Sequence, residues 1–360
     1  MKIGINASFL RKPGTGIGQV TFSFLQALKA VRPAGVEFVL YTQEPTDIAL
    51  PENFEVKSFL PRWWRRDDVP RQLLWERELA SRARRDGCDV FLSLYQSATV
   101  FNSSIRHVMV VHDIIPKLFP EYLGSLSRRW HWRGIERGIR KADHIIAVSQ
   151  STEEDIEKHL GVVPERISIA HPGLSPIFAT PASDEQVSET LARYGLERGY
   201  IYHGGGLEIR KNTQAVLEAY ALLRGDPTVA HMPPIVISGQ IHPKANPLAT
   251  DVVGLIESLS LGHAVYLLGR VPEADLPALY RGASLFIYPS LYEGFGLPPV
   301  EAFSQSTPVI ASRASSLPEV CGDAALLVDP GELDDIAAAL RRLLNDAELR
   351  AELGERGYQR

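Results

Sequence analysis

Two glutamates, Glu293 and Glu301, bracket the stretch Gly294-Phe-Gly-Leu-Pro-Pro-Val300. The run before it, Ser284-Leu-Phe-Ile-Tyr288, is short, aromatic and β-branched and reads as a buried parallel strand. From Pro298 onward the pattern is helical, with proline at the first position and Glu301 in the first turn. The stretch is therefore a strand, a glycine loop and a helix N-terminus. Unpaired backbone N–H groups at such a terminus favour an anion, often a phosphate. Gly294 and Gly296 let the main chain come close to a ligand. Carboxylates repel a phosphate, so the two glutamates are better suited to hold hydroxyl groups of a sugar or a ribose. A diphosphate with hydroxyls suggests a sugar nucleotide.

A second candidate set stands upstream. Tyr200-Ile-Tyr-His-Gly-Gly-Gly206 reads as a strand entering a glycine turn, followed by Arg210 and Lys211 at the start of a helix. Arginine can grip phosphate oxygens bidentately and lysine acts as a point charge; by themselves the pair could equally be two solvated cations. In the first half, Gly14-Thr-Gly-Ile-Gly18 follows the first strand. It lacks a clean G-x-G-x-x-G, and Tyr41 stands where a nicotinamide-binding unit would end its second strand in an acid, so the dehydrogenase reading fails there. His112-Asp113 follows the strand ending at Val111, and Val148-Ser149 ends a later strand. Strand ends are where ligands sit in doubly wound sheets, although burial or a turn would also explain a His-Asp pair.

Glu293-Gly-Phe-Gly-Leu-Pro-Pro-Val-Glu301 resembles the E-x7-E signature of family-4 retaining glycosyltransferases with the GT-B fold. The resemblance covers nearly the whole chain. It implies an α/β protein of two Rossmann-like doubly wound domains facing across a cleft. The first, residues 1–173, would bind the acceptor; a hinge follows at 174–196; the second, 197–360, would bind the donor. The family carries an R-K-N after a glycine-containing strand end, here Arg210-Lys211-Asn212, and these cations would neutralise the departing diphosphate together with the helix start at Phe295, Gly296 and Leu297. Glu301 would hold the ribose, and Glu293 the sugar hydroxyls near the anomeric centre. Val271 would contact the base through its backbone, and Gly16 would let donor and acceptor approach. His112 would bind the sugar or the neighbouring acceptor, with Asp113 and Ser149 on the acceptor side.

The same resemblance implies retention at the anomeric carbon, with no dedicated nucleophile assigned. No D-x-D pair in a metal-binding context ends a strand, so no metal and no cofactor is expected; the nucleotide sugar is a co-substrate. GDP-mannose is the first choice of donor and a UDP-hexose the second, with a glycan or lipid-linked saccharide as acceptor in polysaccharide biosynthesis. A mutase or epimerase on this fold, or an inactive scaffold that binds sugar nucleotides, are the alternatives. Family members usually run on into a helix that returns to the first domain, which is expected to be absent from a chain ending at Arg360.

The elements that must position these residues follow a βαβ pattern. In the first half, strands are expected at Lys2–Asn6, Val36–Tyr41, Val90–Leu94, Arg106–Val111 and His144–Val148, with a loop through Gly18 and a helix over Val20–Val31. In the second, strands are expected at Ile235–Gly239, Ala264–Leu268 and Thr307–Ala311, with Ser316–Val320 and Ala325–Asp329 closing the sheet. The 360 residues, 45% hydrophobic and 22% charged, suffice for two domains. Cys88 and Cys321 stand alone, which suggests a reducing compartment and neither a disulfide framework nor structural zinc. Met1–Asn6 reads as a strand, not a signal peptide, and no apolar run has membrane-spanning length.

Net charge is −5, split as +4 over residues 1–175 and −9 over the rest. The positive excess gathers at Arg62-Trp-Trp-Arg-Arg66 with the following arginines (Arg71, Arg77, Arg82, Arg84, Arg85), and at Arg128–Arg133 with Arg137, Arg140 and Lys141. Such a surface with tryptophans suits an anionic membrane, or else is a solvated helix face over packed tryptophans. A cytoplasmic protein, peripheral on the inner face of the plasma membrane, is the expectation. Nucleic acid is not an expected partner.

Overall fold

The computed structural model describes residues 1–12, 14–31, 33–46, 48, 50–60, 69–102, 105–242 and 246–360. The chain forms two compact units, Met1–Ser175 and Pro176–Arg360. The stretch assigned to the hinge from the sequence is folded from Pro176 onward. It carries the helix Asp184–Tyr194, which packs on the helix Leu276–Gly282 of the second unit. Ser183 starts that helix with a capping box, its hydroxyl accepting from Gln186 N–H while the Gln186 side chain accepts in return.

Unit one holds strands β1 (Lys2–Asn6), β2 (Glu37–Thr42), β3 (Phe54–Ser58), β4 (Val90–Ser93), β5 (Arg106–Val111), β6 (His144–Ala147) and β7 (Ile167–Ile169). All pair in parallel, in the order β3-β2-β1-β4-β5-β6-β7. Unit two holds β8 (Ile201–His203), β9 (Ile235–Ser238), β10 (Val265–Gly269), β11 (Leu285–Tyr288), β12 (Val309–Ser312) and β13 (Ala325–Val328). They too are parallel, in the order β10-β9-β8-β11-β12-β13. In each sheet the strand order reverses once, between β1 and β4 and between β8 and β11. Such a switch point leaves a crevice outside the carboxyl ends of the two strands, because their following connections run to opposite faces.

The sheets are buried on both faces, which is why their strands read as continuous apolar runs. Every residue of β8, β9, β11 and β12 is buried. The helix Thr213–Leu223 covers one face of the second sheet together with the amphipathic helix Leu333–Asn345, packing through Val216, Leu217, Tyr220, Ile336, Leu340 and Leu343.

Several local expectations are corrected. Ser316–Val320 does not close the sheet: it is the short helix Leu317–Cys321, with Pro318 early in it, and β13 alone forms that edge. The helix expected from Val20 begins at Gly16, so the glycine loop is shorter and Gly16 and Gly18 are helical. Strand β3 carries no clean alternation, being an edge strand with Glu55 and Val56 exposed.

The basic surface is also redrawn. The run 62–66 lies outside the described residues. Arg71 is buried at 2% exposure and paired with Glu44 at 3.1 Å. Trp132 is buried, with its indole N–H donating to Glu136. Arg77, Arg84 and Arg85 stay exposed on the helix Val69–Arg85, and a basic stretch is exposed along the helix Leu126–Lys141. Its Gly138 sits so close to the chain after β4 that a Cβ would collide with the Ser97 carbonyl oxygen. Gly138→Ala is expected to destabilise the protein by about 1–3 kcal/mol, the usual range for overpacking, read as a lower urea midpoint at unchanged m-value.

Candidate active site

In unit two the switch point gathers one dense polar cluster. Lys211 ends the single 3-10 turn Ile209–Lys211. Asn212 closes that turn in the left-handed region at φ 59°, a conformation asparagine tolerates because its short amide can bond the backbone. Its side-chain amide donates to the carbonyls of Pro289, just beyond β11, at 3.2 Å and of Pro330 at 2.8 Å. Leu291 N–H donates to the Arg210 carbonyl at 2.7 Å. The cation-bearing turn is thus stapled to the loop that carries Glu293.

Glu293 is buried and takes donors on both oxygens. Oε1 accepts from Lys211 Nζ at 2.7 Å, Tyr288 OH at 2.8 Å and Ser290 Oγ at 2.5 Å. Oε2 accepts from Arg210 Nη1 at 2.8 Å. Lys211 also donates to the Tyr288 hydroxyl at 2.5 Å. Burial pushes the Glu293 carboxyl up, but the Lys211 and Arg210 charges, with hydrogen bonds from Lys211 and Ser290, outweigh it and hold it at about 2. Burial in turn lowers the Lys211 ammonium, opposed by Glu293. Two cations face Glu293, and the nearby Glu208 carboxylate also acts on Lys211.

A serine-rich loop after β12 braces this arrangement. Ser315 Oγ accepts from Glu293 N–H at 2.8 Å, and Ser312 Oγ donates to the Ser290 carbonyl at 2.6 Å. The Ser316 hydroxyl lies 3.0 Å from the Glu293 carbonyl and 2.6 Å from that of Phe295. Gly296 then caps the helix Leu297–Ser304 at φ 102°, with Leu317 Cδ2 2.5 Å from where a Cβ would stand. Any side chain there would be strained and crowded. Pro298 and Pro299 carry no N–H, so an anion at this terminus would meet the main chain around Gly296 and Leu297.

Glu301, one turn into that helix, is buried against an aromatic group. Oε2 accepts from Tyr280 OH at 2.8 Å, and Tyr280 packs edge-on against Tyr202 and Phe286. Burial pushes the Glu301 carboxyl up to about 7, against the pull of the Tyr280 hydrogen bond. Near neutral pH this acid therefore changes charge. Val271 lies half-buried in the loop after β10.

In unit one, His112 follows β5 next to the switch point and is buried. Its Nε2 lies 2.9 Å from the Leu94 carbonyl and its backbone N–H donates to Gln96 Oε1. Burial lowers the imidazole below its ordinary value, against the Leu94 contact, so the ring is neutral. With Nε2–H donating, Nδ1 is left as an acceptor. Asp113 Oδ1 accepts from Ile115 N–H at 2.9 Å, just ahead of the helix Ile115–Leu118, whose N-cap is Ile114. Ser149 is fully buried and caps the helix Gln150–Leu160 by accepting from Thr152 N–H at 3.0 Å. Thr152 Oγ1 reaches the His112 carbonyl at 3.5 Å, so this cap stands beside His112. Gly16 opens its helix with nothing within 4 Å of where a Cβ would point.

The structure thus brings Arg210, Lys211 and Glu293 into direct contact, and adds residues that sequence reasoning missed: Tyr288, Ser290, Tyr280 and the serines Ser312, Ser315 and Ser316. A tyrosine in a buried strand needs a partner for its hydroxyl, which was the available signal for Tyr288. Among the described residues no three His, Cys, Asp or Glu side chains gather as a metal-ligand set, and no helix is long and apolar enough to cross a membrane.

Comparison with known proteins divides along the two units. The family described as Glycosyltransferase Family 4 matches residues 14–178, and Glycosyl transferases group 1 matches residues 194–360. O-antigen chain mannosyltransferase B of Escherichia coli is 34% identical over 70% of this chain and 65% of its own length. The serotype-specific mannosyltransferase WbdA of Escherichia coli is 31% identical over 69% of this chain and 30% of its own. The chain therefore spans less than two thirds of the length of these curated relatives. Among solved structures, WaaG, a glycosyltransferase involved in lipopolysaccharide biosynthesis, superposes with a TM-score of 0.76 at 18% identity, covering 100% of this chain and 94% of that one.

Proposed function

The chain belongs to the family-4 glycosyltransferases of the GT-B fold, and from that premise we propose that it is a retaining, metal-independent hexosyltransferase. It moves mannose from GDP-mannose to a glycan or lipid-linked saccharide acceptor in cell-surface polysaccharide biosynthesis. The observation that carries the reading is the buried contact of Arg210, Lys211 and Glu293 at the switch point of unit two. In this reading Arg210 and Lys211 are two fixed cations for the departing diphosphate, and preorganised charge of this kind is usually the largest electrostatic contribution to such chemistry. The choice of mannose is supported by the names of these relatives, an O-antigen chain mannosyltransferase and a serotype-specific mannosyltransferase.

In this reading the bond from the anomeric carbon to the diphosphate oxygen breaks as the acceptor oxygen bonds to the same face. The acceptor's proton passes to the departing diphosphate. Arg210 and Lys211, with the main chain around Gly296 and Leu297, take up the charge that develops on the phosphates. Glu301 accepts from the ribose hydroxyls, Glu293 from the sugar, and neutral His112 accepts from a hydroxyl through Nδ1. Val271 borders the base. The deciding experiment is a panel of GDP-, UDP- and ADP-sugars scored by thermal stabilisation and by slow release of the nucleoside diphosphate without acceptor. Stabilisation and hydrolysis confined to GDP-mannose is the expected result; a response to UDP-hexoses alone replaces the donor, and no response to any removes the donor site.

We also propose that unit one rests on anionic lipid through the helix Leu126–Lys141. Leu126 is 82% exposed and Trp130 63%, and Arg128, Arg129, Arg133, Arg137, Arg140 and Lys141 are exposed on the same helix. Interfacial apolar side chains with a basic face bind headgroups in this way. Flotation with phosphatidylglycerol vesicles is expected, with little on zwitterionic ones. Arg133→Glu with Arg137→Glu is expected to abolish it; equal flotation of that variant would refute the contact.

A further inference from the structure

The Glu293 carboxylate is engaged on both oxygens by the protein itself. A carboxylate offers about four lone-pair sites, and Lys211, Tyr288, Ser290 and Arg210 supply four donors at 2.5–2.8 Å. Three of them crowd Oε1, and Oε2 is turned to the Arg210 guanidinium, so both oxygens face the protein's own donors. The two cations are likewise committed to it, although their part in the proposed reaction is to meet phosphate oxygens. A diphosphate that draws on the same two cations therefore competes with Glu293 for them.

Building on the donor-site reading, we propose that Glu293 is an internal counter-anion that a nucleoside diphosphate must displace from Arg210 and Lys211. Without ligand, the carboxylate pairs a buried Lys211 and a partly buried Arg210, at 5% and 17% side-chain exposure, and an unpaired charge is costly in a low dielectric. An arriving diphosphate brings more negative charge than one carboxylate and takes the cations over. Glu293 does not swing free, because Tyr288 and Ser290 still hold Oε1. Tyr288 and Ser290 are therefore positioning residues, and the acceptor capacity released on Glu293 is turned to the hydroxyls of the bound sugar. On departure of the product the exchange reverses: Glu293 recaptures the cations and helps expel the diphosphate.

The consequence runs against the usual effect of removing a site residue. Glu293→Gln keeps the shape and one acceptor oxygen but removes the competing charge, with an NH2 donor in place of the second oxygen. It is expected to bind GDP, UDP and inorganic pyrophosphate at least about tenfold more tightly than the parent in titration calorimetry, while transfer turnover falls. Glu293→Asp keeps the charge but, one methylene shorter, spans the cations less well. It is expected to tighten binding by a smaller, few-fold factor, and carries the test if the glutamine variant does not fold. Folded variants that bind these anions no more tightly than the parent overturn the counter-anion role and leave the donor site intact. If neither parent nor variants bind any nucleoside diphosphate, the donor-site reading falls and this inference with it.

Discussion

Lys211→Ala is expected to lower turnover by roughly 10²–10³-fold, the usual cost of removing one preorganised donor aimed at developing charge, with a smaller change in donor KM. Lys211 is buried at 4% exposure and touches both Glu293 and the Tyr288 hydroxyl. Its loss leaves Arg210 to compensate Glu293, with the Tyr288 and Ser290 hydroxyls as neutral support. Breaking a buried ion pair by deleting one partner costs about 3–5 kcal/mol, and the surviving Arg210 contact places this case at the lower end. The variant should therefore melt earlier as well as turn over slowly. Steady-state kinetics with thermal unfolding on the same preparations check both. Parental turnover in Lys211→Ala would show that the ammonium does not meet the leaving group.

Glu301→Gln is expected to raise the donor KM by about ten- to a hundredfold, since a hydrogen bond to a charged group is worth roughly 1.5–3 kcal/mol, with less effect on turnover. The same substitution should act on unliganded stability in the opposite direction. Burial lifts the folded carboxyl from 4.5 to about 7. The folded state thus holds a proton that the unfolded chain has already released, and stability falls as pH rises between those values. At about 1.4 kcal/mol per pH unit the loss is roughly 3 kcal/mol by pH 8. Glutamine cannot ionise, so its unfolding free energy should be flatter across pH 5–8 and higher than the parent's at pH 8. Donor binding should show the mirror image. Ribose hydroxyls donate to the ionised acid, so the parent's donor affinity should rise with pH through about 7, while that of the glutamine variant stays level. Parallel pH profiles in the two proteins would separate Glu301 from both effects.

Most of the fold was legible from the chain because buried parallel strands write themselves as apolar runs. Ser284–Tyr288 and Arg106–Val111 announce β11 and β5 in that way. β3 did not, because an edge strand such as Phe54–Ser58 needs only one covered neighbour and keeps Glu55 and Lys57. Ser316–Val320 was misassigned because a short apolar run with a proline has no period long enough to separate strand from helix. The glutamates and the Arg210-Lys211 pair could be picked out because charge beside glycine at a strand end is unusual in a buried region.

The sequence by itself determined two parallel α/β units and the residue types at their strand ends, since hydrophobic periodicity and glycine placement are local properties. Only the tertiary structure decided that Arg210 and Lys211 face Glu293, that Tyr288 and Ser290 join Lys211 on its Oε1, and that Tyr280 anchors a Glu301 poised near neutrality. Those contacts join segments far apart in the chain, brought together where β8 lies beside β11. Their partners and their pKa values depend on burial and on loop geometry, which no local pattern records.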